Sequence, residues 1–359
     1  MSALEKALSH SKKIGIDECD IIKVKKKIIT VRITDSEIVE LKQNFDESFG
    51  IRLIQDKKIA SMQTTNEDEI EKTIDKAFRT FANLKSREFW EGLPDTVKCK
   101  ILDRTFDEKL DQISGSKSMD IAQNMINSST SDKISTITGS LNIVSENFEL
   151  LNSNGLNFND KATYISGIIN AESEIGNIPV SGIGHASGRT LTNFSAEQIG
   201  NDAKTMCKES INPQKVDSDS YSIIFEPYSV GELLAFVVAA NFNFKTFSEK
   251  KSCFSDNYEK EIAVKEFSLI DDPHVSEGIG TKSVDDEGIE TRQKSLIEKG
   301  VFKNTYSNLF DSFKEGEESS GNASRPGSPM GRSAEPIPMS DPHNLKVIPG
   351  DQSQEEMIK

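Results

Sequence analysis

Ile29, Val31 and Ile33 alternate with Thr30 and Arg32, the two-residue period of a half-buried strand. This run, Ile28–Thr34, lies between two further strand candidates, Ile21–Val24 and Ile38–Leu41. Phe49–Ile54 and Lys58–Met62 follow as a hairpin across Gln55-Asp56-Lys57. Ahead of them Leu4, Ala7 and Leu8 give an opening helix its apolar stripe. Behind them Thr65 or Asn66 caps a helix with Ile70, Ile74, Ala77, Phe78 and Phe81 on one face. Residues 1–85 therefore read as an amino-terminal α+β domain in the order helix, antiparallel meander, helix.

Periodicity lapses between 86 and 105, a linker that Phe89 and Trp90 pack onto the surface. A middle α+β region, 106–215, opens with a helix from Asp107 to about Asn127. Short strands follow at Ile134–Ile143, Phe148–Leu151, Leu156–Phe158 and Thr163–Asn170, with a turn at Asn152-Ser153-Asn154-Gly155. Ile183 to Arg189 then leads into a helix from Ser195 to about Lys208. A β-rich carboxy-terminal domain, 221–359, starts with a strand at Ile223–Phe225. Glu226-Pro227 opens a helix, and Gly231–Ala240 is apolar nearly all round, which predicts burial on every side. Asp285–Gly288 makes a turn, Ser295–Ile297 pairs with Val301–Thr305 across Lys299-Gly300, and the composition of 316–350 suggests a flexible loop. The fold class is α+β, with one buried helix in the last domain.

The 359 residues carry a formal charge of −15, with lysines and arginines scattered among carboxylates. A nucleic-acid surface needs a clustered basic stripe, so direct DNA contact is disfavoured. The longest clean apolar run, Leu233–Ala240, is far short of the roughly 20 residues that cross a bilayer. No secretory leader is legible at the amino terminus, and a cytoplasmic protein is expected. Cys19, Cys99, Cys207 and Cys253 stand apart, without a disulfide framework or a thiolate zinc pattern.

The candidate chemistry is sparse. His10, His185, His274 and His343 fall in four segments, none beside a glutamate at ligand spacing. Ser153, Ser181 and Ser333 lie near glycines but in no nucleophile elbow, and Gly182-Ile183-Gly184 lacks the context of a phosphate loop. Asp285, Asp286 and Glu287 read as an exposed acidic turn in preference to a metal site.

Several separate stretches resemble one family. Asp285-Asp286-Glu287-Gly288 followed by Leu296-Ile297-Glu298-Lys299-Gly300 resembles the central signature of the TldD/PmbA family. The hairpin at 49–62, Asn152–Gly155, Ser320–Ala323, Pro336–Pro338 and Asn344–Asp351 resemble its other blocks. Glu226–Leu234 is similar to the lead-in of its metal helix. Where zinc-binding members continue with His-Glu-x-x-x-His, this chain has Ala235, Phe236 and, at the second histidine position, Ala240. The resemblance thus implies a TldE/PmbA-type subunit with no cofactor of its own, partnered in a heterodimer by a TldD-like catalytic subunit that carries the zinc. It implies cytoplasmic proteolysis of unfolded peptides, with Asp286, Glu287, Gly288 and Asn322 as contacts for substrate or partner. The alternatives are a free-standing binding or modulator protein, or an active metallopeptidase with a rearranged site. Family members also continue past the helix that Ser353-Gln354-Glu355-Glu356 opens, so a truncated or fragmentary sequence is expected.

Overall fold

The structure, a computed structural model, describes residues 2–96, 102–353 and 356–357. Cys99 and two residues of the last capping box, Gln354 and Glu355, lie outside them.

Helix α1 (Ala3–Lys13) is closed at its start by a capping box between Ser2 and Glu5. Two long hairpin strands follow, β1 (Glu18–Thr34) and β2 (Glu37–Gln55), then β3 (Lys58–Thr64) and α2 (Ile70–Thr80). Both tight turns hold two residues at positive φ, Asp35-Ser36 and Asp56-Lys57, whose twist suits a two-residue hairpin. The helix expected from Asp107 breaks into α3 (Glu108–Asp111) and α4 (Gly115–Ser129), because Ser114 caps a new start by accepting from Lys117 N–H. The short strands expected next merge into β4 (Thr136–Asn152) and β5 (Asn157–Ser173), followed by β6 (Val180–Gly188) and α5 (Ala196–Glu209).

Those strands form one antiparallel sheet in the order β3-β2-β1-β4-β5-β6. The amino-terminal and middle regions are therefore joined through the long β1–β4 pairing, Asp20 opposite Asn152 through Ile33 opposite Gly139. Strand alternation decides what covers each face. On one face Cys19 and Ile21 pack with Leu4, Ala7, Ile70 and Ile74 of α1 and α2, while Ile29, Val31 and Ile33 meet Met125, Ile126 and Ile199 of α4 and α5. On the other face Ile22, Val24, Phe148 and Phe158 receive Val284 and Ala334 from the last third of the chain. Trp90 is buried as well, edge-on to Phe313, with its indole N–H donating to Glu18.

The Gly182-x-Gly184 pair has a packing role. A Cβ at Gly184 would overlap the Ile199 carbonyl, and one at Gly182 the Cys207 backbone, so α5 lies directly on β6. Gly184→Ala is expected to cost about 3 kcal/mol in urea unfolding, the upper end of overpacking because the obstacle is backbone. Gly188→Ala, in open space, should stay near wild type.

The carboxy-terminal region is irregular. A four-stranded sheet sets, side by side in this order, Leu345–Val347, β7 (Leu269–Asp271), β8 (Lys294–Glu298) and β9 (Val301–Phe302). The β8–β9 hairpin turns at Lys299-Gly300 as expected. Three expectations fail. Ile223–Phe225 forms no strand and stands exposed, having no paired neighbour among the described residues. Helix α6 (Pro227–Glu232) continues through wider, then tighter turns to Phe242, but no described element covers its outer face. Leu234, Ala239 and Phe242 are buried there, whereas Phe236 is 80% and Val237 60% exposed. Residues 316–350 are not a loose loop either: Asn322, Arg325 and Arg332 are buried in polar networks that fix them.

Candidate functional site

The acidic turn at 285–288 is interior, not exposed as its polarity suggested. Asp285 and Asp286 are 0% and Glu287 1% exposed. Asp285 serves the backbone: its Oδ1 accepts from Glu287 N–H and Ile289 N–H at 2.9 Å each, and its Oδ2 from Ala323 N–H at 2.9 Å. Gly288 completes the turn at φ +96°, with Leu156 occupying the place a Cβ would take.

Asp286 and Glu287 each anchor a buried arginine. Arg332 donates from Nε to Asp286 at 2.9 Å, from Nη1 to Glu146 at 2.8 Å and from Nη2 to Asp160 at 2.7 Å. Lys282 Nζ reaches both Asp286 oxygens, and Arg325 N–H donates to Oδ2. Arg52 forks onto Asp20 at 3.0 and 2.7 Å and donates to Glu287 at 2.6 Å. Glu287 also accepts from Leu309 N–H. These pairs tie β1, β2, β4 and β5 to the carboxy-terminal region. Asn322 is wholly buried, bonded to Asp271, the Asp341 carbonyl and Lys294. All four residues expected to touch substrate or partner are buried, and Asp286, Glu287 and Asn322 are engaged by internal hydrogen bonds.

The electrostatics follow from that burial. Burial by itself pushes the Asp286 carboxyl up, but the Lys282 and Arg332 charges outweigh it and hold the group well below the usual carboxylate range. Burial, and then the Glu287 charge, push Asp285 up to about 7.

The open surface lies elsewhere. A cavity of about 530 Å³ separates β6 and α5 from the start of α6, lined by His185, Asp202, Met206, Glu209, Glu226 and Tyr228 among others. The His185 ring stands 5.4 Å from that of Tyr228. Burial holds the imidazole below its ordinary value, partly opposed by Glu232, and the Tyr228 hydroxyl is raised by its hydrogen bond to Glu232. The structure does not bring the histidines together. His10 pairs with Asp75, His274 lies by Thr291, and His343 bonds the Gly321 carbonyl. Among the described residues no three His, Cys, Asp or Glu side chains are placed to hold a metal ion. None of the described helices is long and apolar enough to cross a membrane.

Comparison with known proteins fits this architecture. Residues 19–80 match the model of PmbA/TldA metallopeptidase domain 1, and 218–359 that of the PmbA/TldA metallopeptidase C-terminal domain. The chain belongs to the TldD/PmbA family. Two relatives come from Methanocaldococcus jannaschii. The protein MJ0231 is 24% identical over 330 residues, covering 90% of this chain and 74% of its own. Metalloprotease MJ0996 is 23% identical over 351 residues, covering 92% and 73%. The crystal structure of TldE from Thermococcus kodakarensis superposes with a TM-score of 0.85 at 20% identity, over 99% of this chain and 80% of that one.

This TldD/PmbA member shows Ala235, Phe236 and Ala240 at the helix positions singled out in its sequence. Alanine and phenylalanine offer no lone pair to an ion, so these residues do not fit zinc. Sequence reading missed the residues that build the interior: Asp20, Arg52, Glu146, Asp160 and Arg332. A signal existed for two of them. Asp20 and Arg52 stand opposite each other in register, each two residues from an isoleucine on the same face, Ile22 and Ile54.

Proposed function

We propose that the chain is a non-catalytic subunit of a TldD/TldE-like zinc metalloprotease, acting with a His-Glu-x-x-x-His subunit on unfolded peptides in the cytoplasm. One observation carries this reading. The helix beginning at Pro227, the place where catalytic members are expected to hold zinc, presents Ala235, Phe236 and Ala240 and turns its outer face to solvent. Those three side chains supply neither a metal ligand nor a group that moves a proton, but the helix offers an apolar surface of the kind that marks association. Leu233, Phe236 and Val237 contribute to it from the helix, and Tyr221, Ile223 and Phe225 from the stretch before it.

The subunit's work is then architectural: it shapes the chamber around the partner's zinc and offers strand edges to an extended substrate. The sheet has such edges at β3 and β6. Because β3 pairs with β2 only from Phe49 to Gln55, β2 has no strand partner among the described residues on that side from Glu37 to Ser48. Main-chain pairing along an edge binds extended peptides with little regard for sequence.

Co-expression with a His-Glu-x-x-x-His relative tests the role. The two chains are expected to co-purify, and casein cleavage should drop at least tenfold when this chain is omitted. Equal cleavage without it rejects the proposal.

A further inference from the structure

Lys26 is 6% exposed, yet no carboxylate of the described residues comes within 4 Å of its ammonium. Lysine is almost never buried without such a partner. Its Nζ donates to the Met330 carbonyl at 2.8 Å. Its cross-strand neighbours are acidic, Asp46 on β2 and Glu146 on β4, but both are turned to other tasks. Glu146 accepts from Arg332 and Tyr164, and Asp46 is exposed at the sheet margin. Arg332, in turn, is fully engaged by three carboxylates.

The ammonium borders a cavity of about 530 Å³. Val24 and Lys26 of β1 and Asp46 and Ser48 of β2 line it from the sheet, Gln63, Thr64 and Thr65 from the end of β3, and Gly327, Ser328 and Ser333 from the loop above. Gly327 is where the ammonium meets the cavity wall, since a Cβ there would strike Lys26 Nζ. Apart from Lys26, Arg332 and Asp46, the polar groups are neutral hydroxyls and one amide. That set suits one negative charge with neutral hydrogen-bonding groups around it. A dianion such as phosphate would meet a single uncommitted cation with Asp46 nearby. The cavity lies where β3 stops, so the free margin of β2 borders it and an extended polypeptide can reach it.

We propose that this cavity binds the carboxylate of an extended peptide, with Lys26 as its charged anchor. The peptide as ligand rests on the subunit role given above; the carboxylate preference is a property of this chain alone. Burial holds Lys26 below the ordinary lysine range, opposed by Glu146 and reinforced by Arg332, and an anion in the cavity would shift it back up.

Fluorescence polarisation with the full chain tests this. The probes are a labelled alanine-rich hexapeptide with a free carboxyl terminus, its terminal amide, and the amide carrying one internal glutamate. The free-carboxylate peptide is expected to bind at least tenfold tighter than the amide. Lys26→Met should erase that difference and Lys26→Arg retain most of it. Lys26→Met removes a buried charge, so its Tm should hold or rise, which separates lost binding from lost folding. Recovery of affinity by the internal glutamate assigns the site to acidic side chains as well; no recovery assigns it to chain ends. Equal binding of acid and amide, discrimination that survives Lys26→Met, or no binding of any peptide overturns the proposal. A chain that passes this test but leaves a partner's casein cleavage unchanged loses the subunit role and keeps the site.

Discussion

Asp286→Ala is expected to lower unfolding stability by about 3–5 kcal/mol, the cost of removing one member of a buried ion network while its partners stay inside. Three cationic or polar groups lose their acceptor together: Arg332 Nε, Lys282 Nζ and the Arg325 N–H. Arg332 keeps Glu146 and Asp160, so the sheet side of the network persists while its link to the carboxy-terminal region is cut. An unfolding free energy from urea within about 1 kcal/mol of wild type would refute this account. Asp286→Asn keeps the shape and should fall between the two.

The same pair of carboxyls sets a pH dependence. Asp286 has a folded pKa below its unfolded one, so its stabilisation is present above about pH 4 and is lost as pH falls further. Asp285 runs the other way. Its folded value of about 7 lies above its unfolded one, so its contribution is complete below about pH 4 and fades as pH rises through about 7. These two groups alone place greatest stability near about pH 4, where Asp286 has ionised and Asp285 still keeps its proton in the folded chain. Asp286→Asn should flatten the acid limb of a stability–pH profile and leave the neutral limb in place.

How far the sequence disclosed this structure depended on whether a residue's partner was local. The cap at Asn66, the stripe of α2 and the hairpins at Asp56-Lys57 and Lys299-Gly300 are set by residues within a few positions, and they were legible. Strand lengths were not. Lys25-Lys26-Lys27 and Ser145-Glu146-Asn147 look like breaks in apolar alternation, yet they sit mid-strand, paired with each other across β1 and β4. Their polarity reflects what lies above each face: carbonyls of Asp111 and Ile113 over Lys27, Arg332 over Glu146. No local rule carries that information. The acidic turn misled for the same reason, because its cations stand at 52, 282 and 332. The segment 233–240 misled in the opposite sense, since an apolar pattern says that something covers a surface without saying that the same described residues supply it.

Phe236→Glu is the substitution expected to damage association most. Phe236 is 80% exposed, so the isolated chain should unfold within about 0.5 kcal/mol of wild type, as surface replacements usually do. Binding to a His-Glu-x-x-x-His subunit should behave differently. A central aromatic in a desolvated interface is the type of residue whose loss costs about 2 kcal/mol or more, roughly 30-fold in Kd. Glutamate adds the penalty of an unpaired charge facing Leu233, Val237 and whatever apolar surface opposes them. Val39→Glu provides the control, an equally apolar and half-exposed side chain on the far margin of the sheet. Surface plasmon resonance of both variants against the partner should show Kd raised at least 30-fold for Phe236→Glu and within threefold of wild type for Val39→Glu. Equal weakening of the two would mean that acidity itself, on a chain already at −15, repels the partner, and the helix would lose its place at the interface.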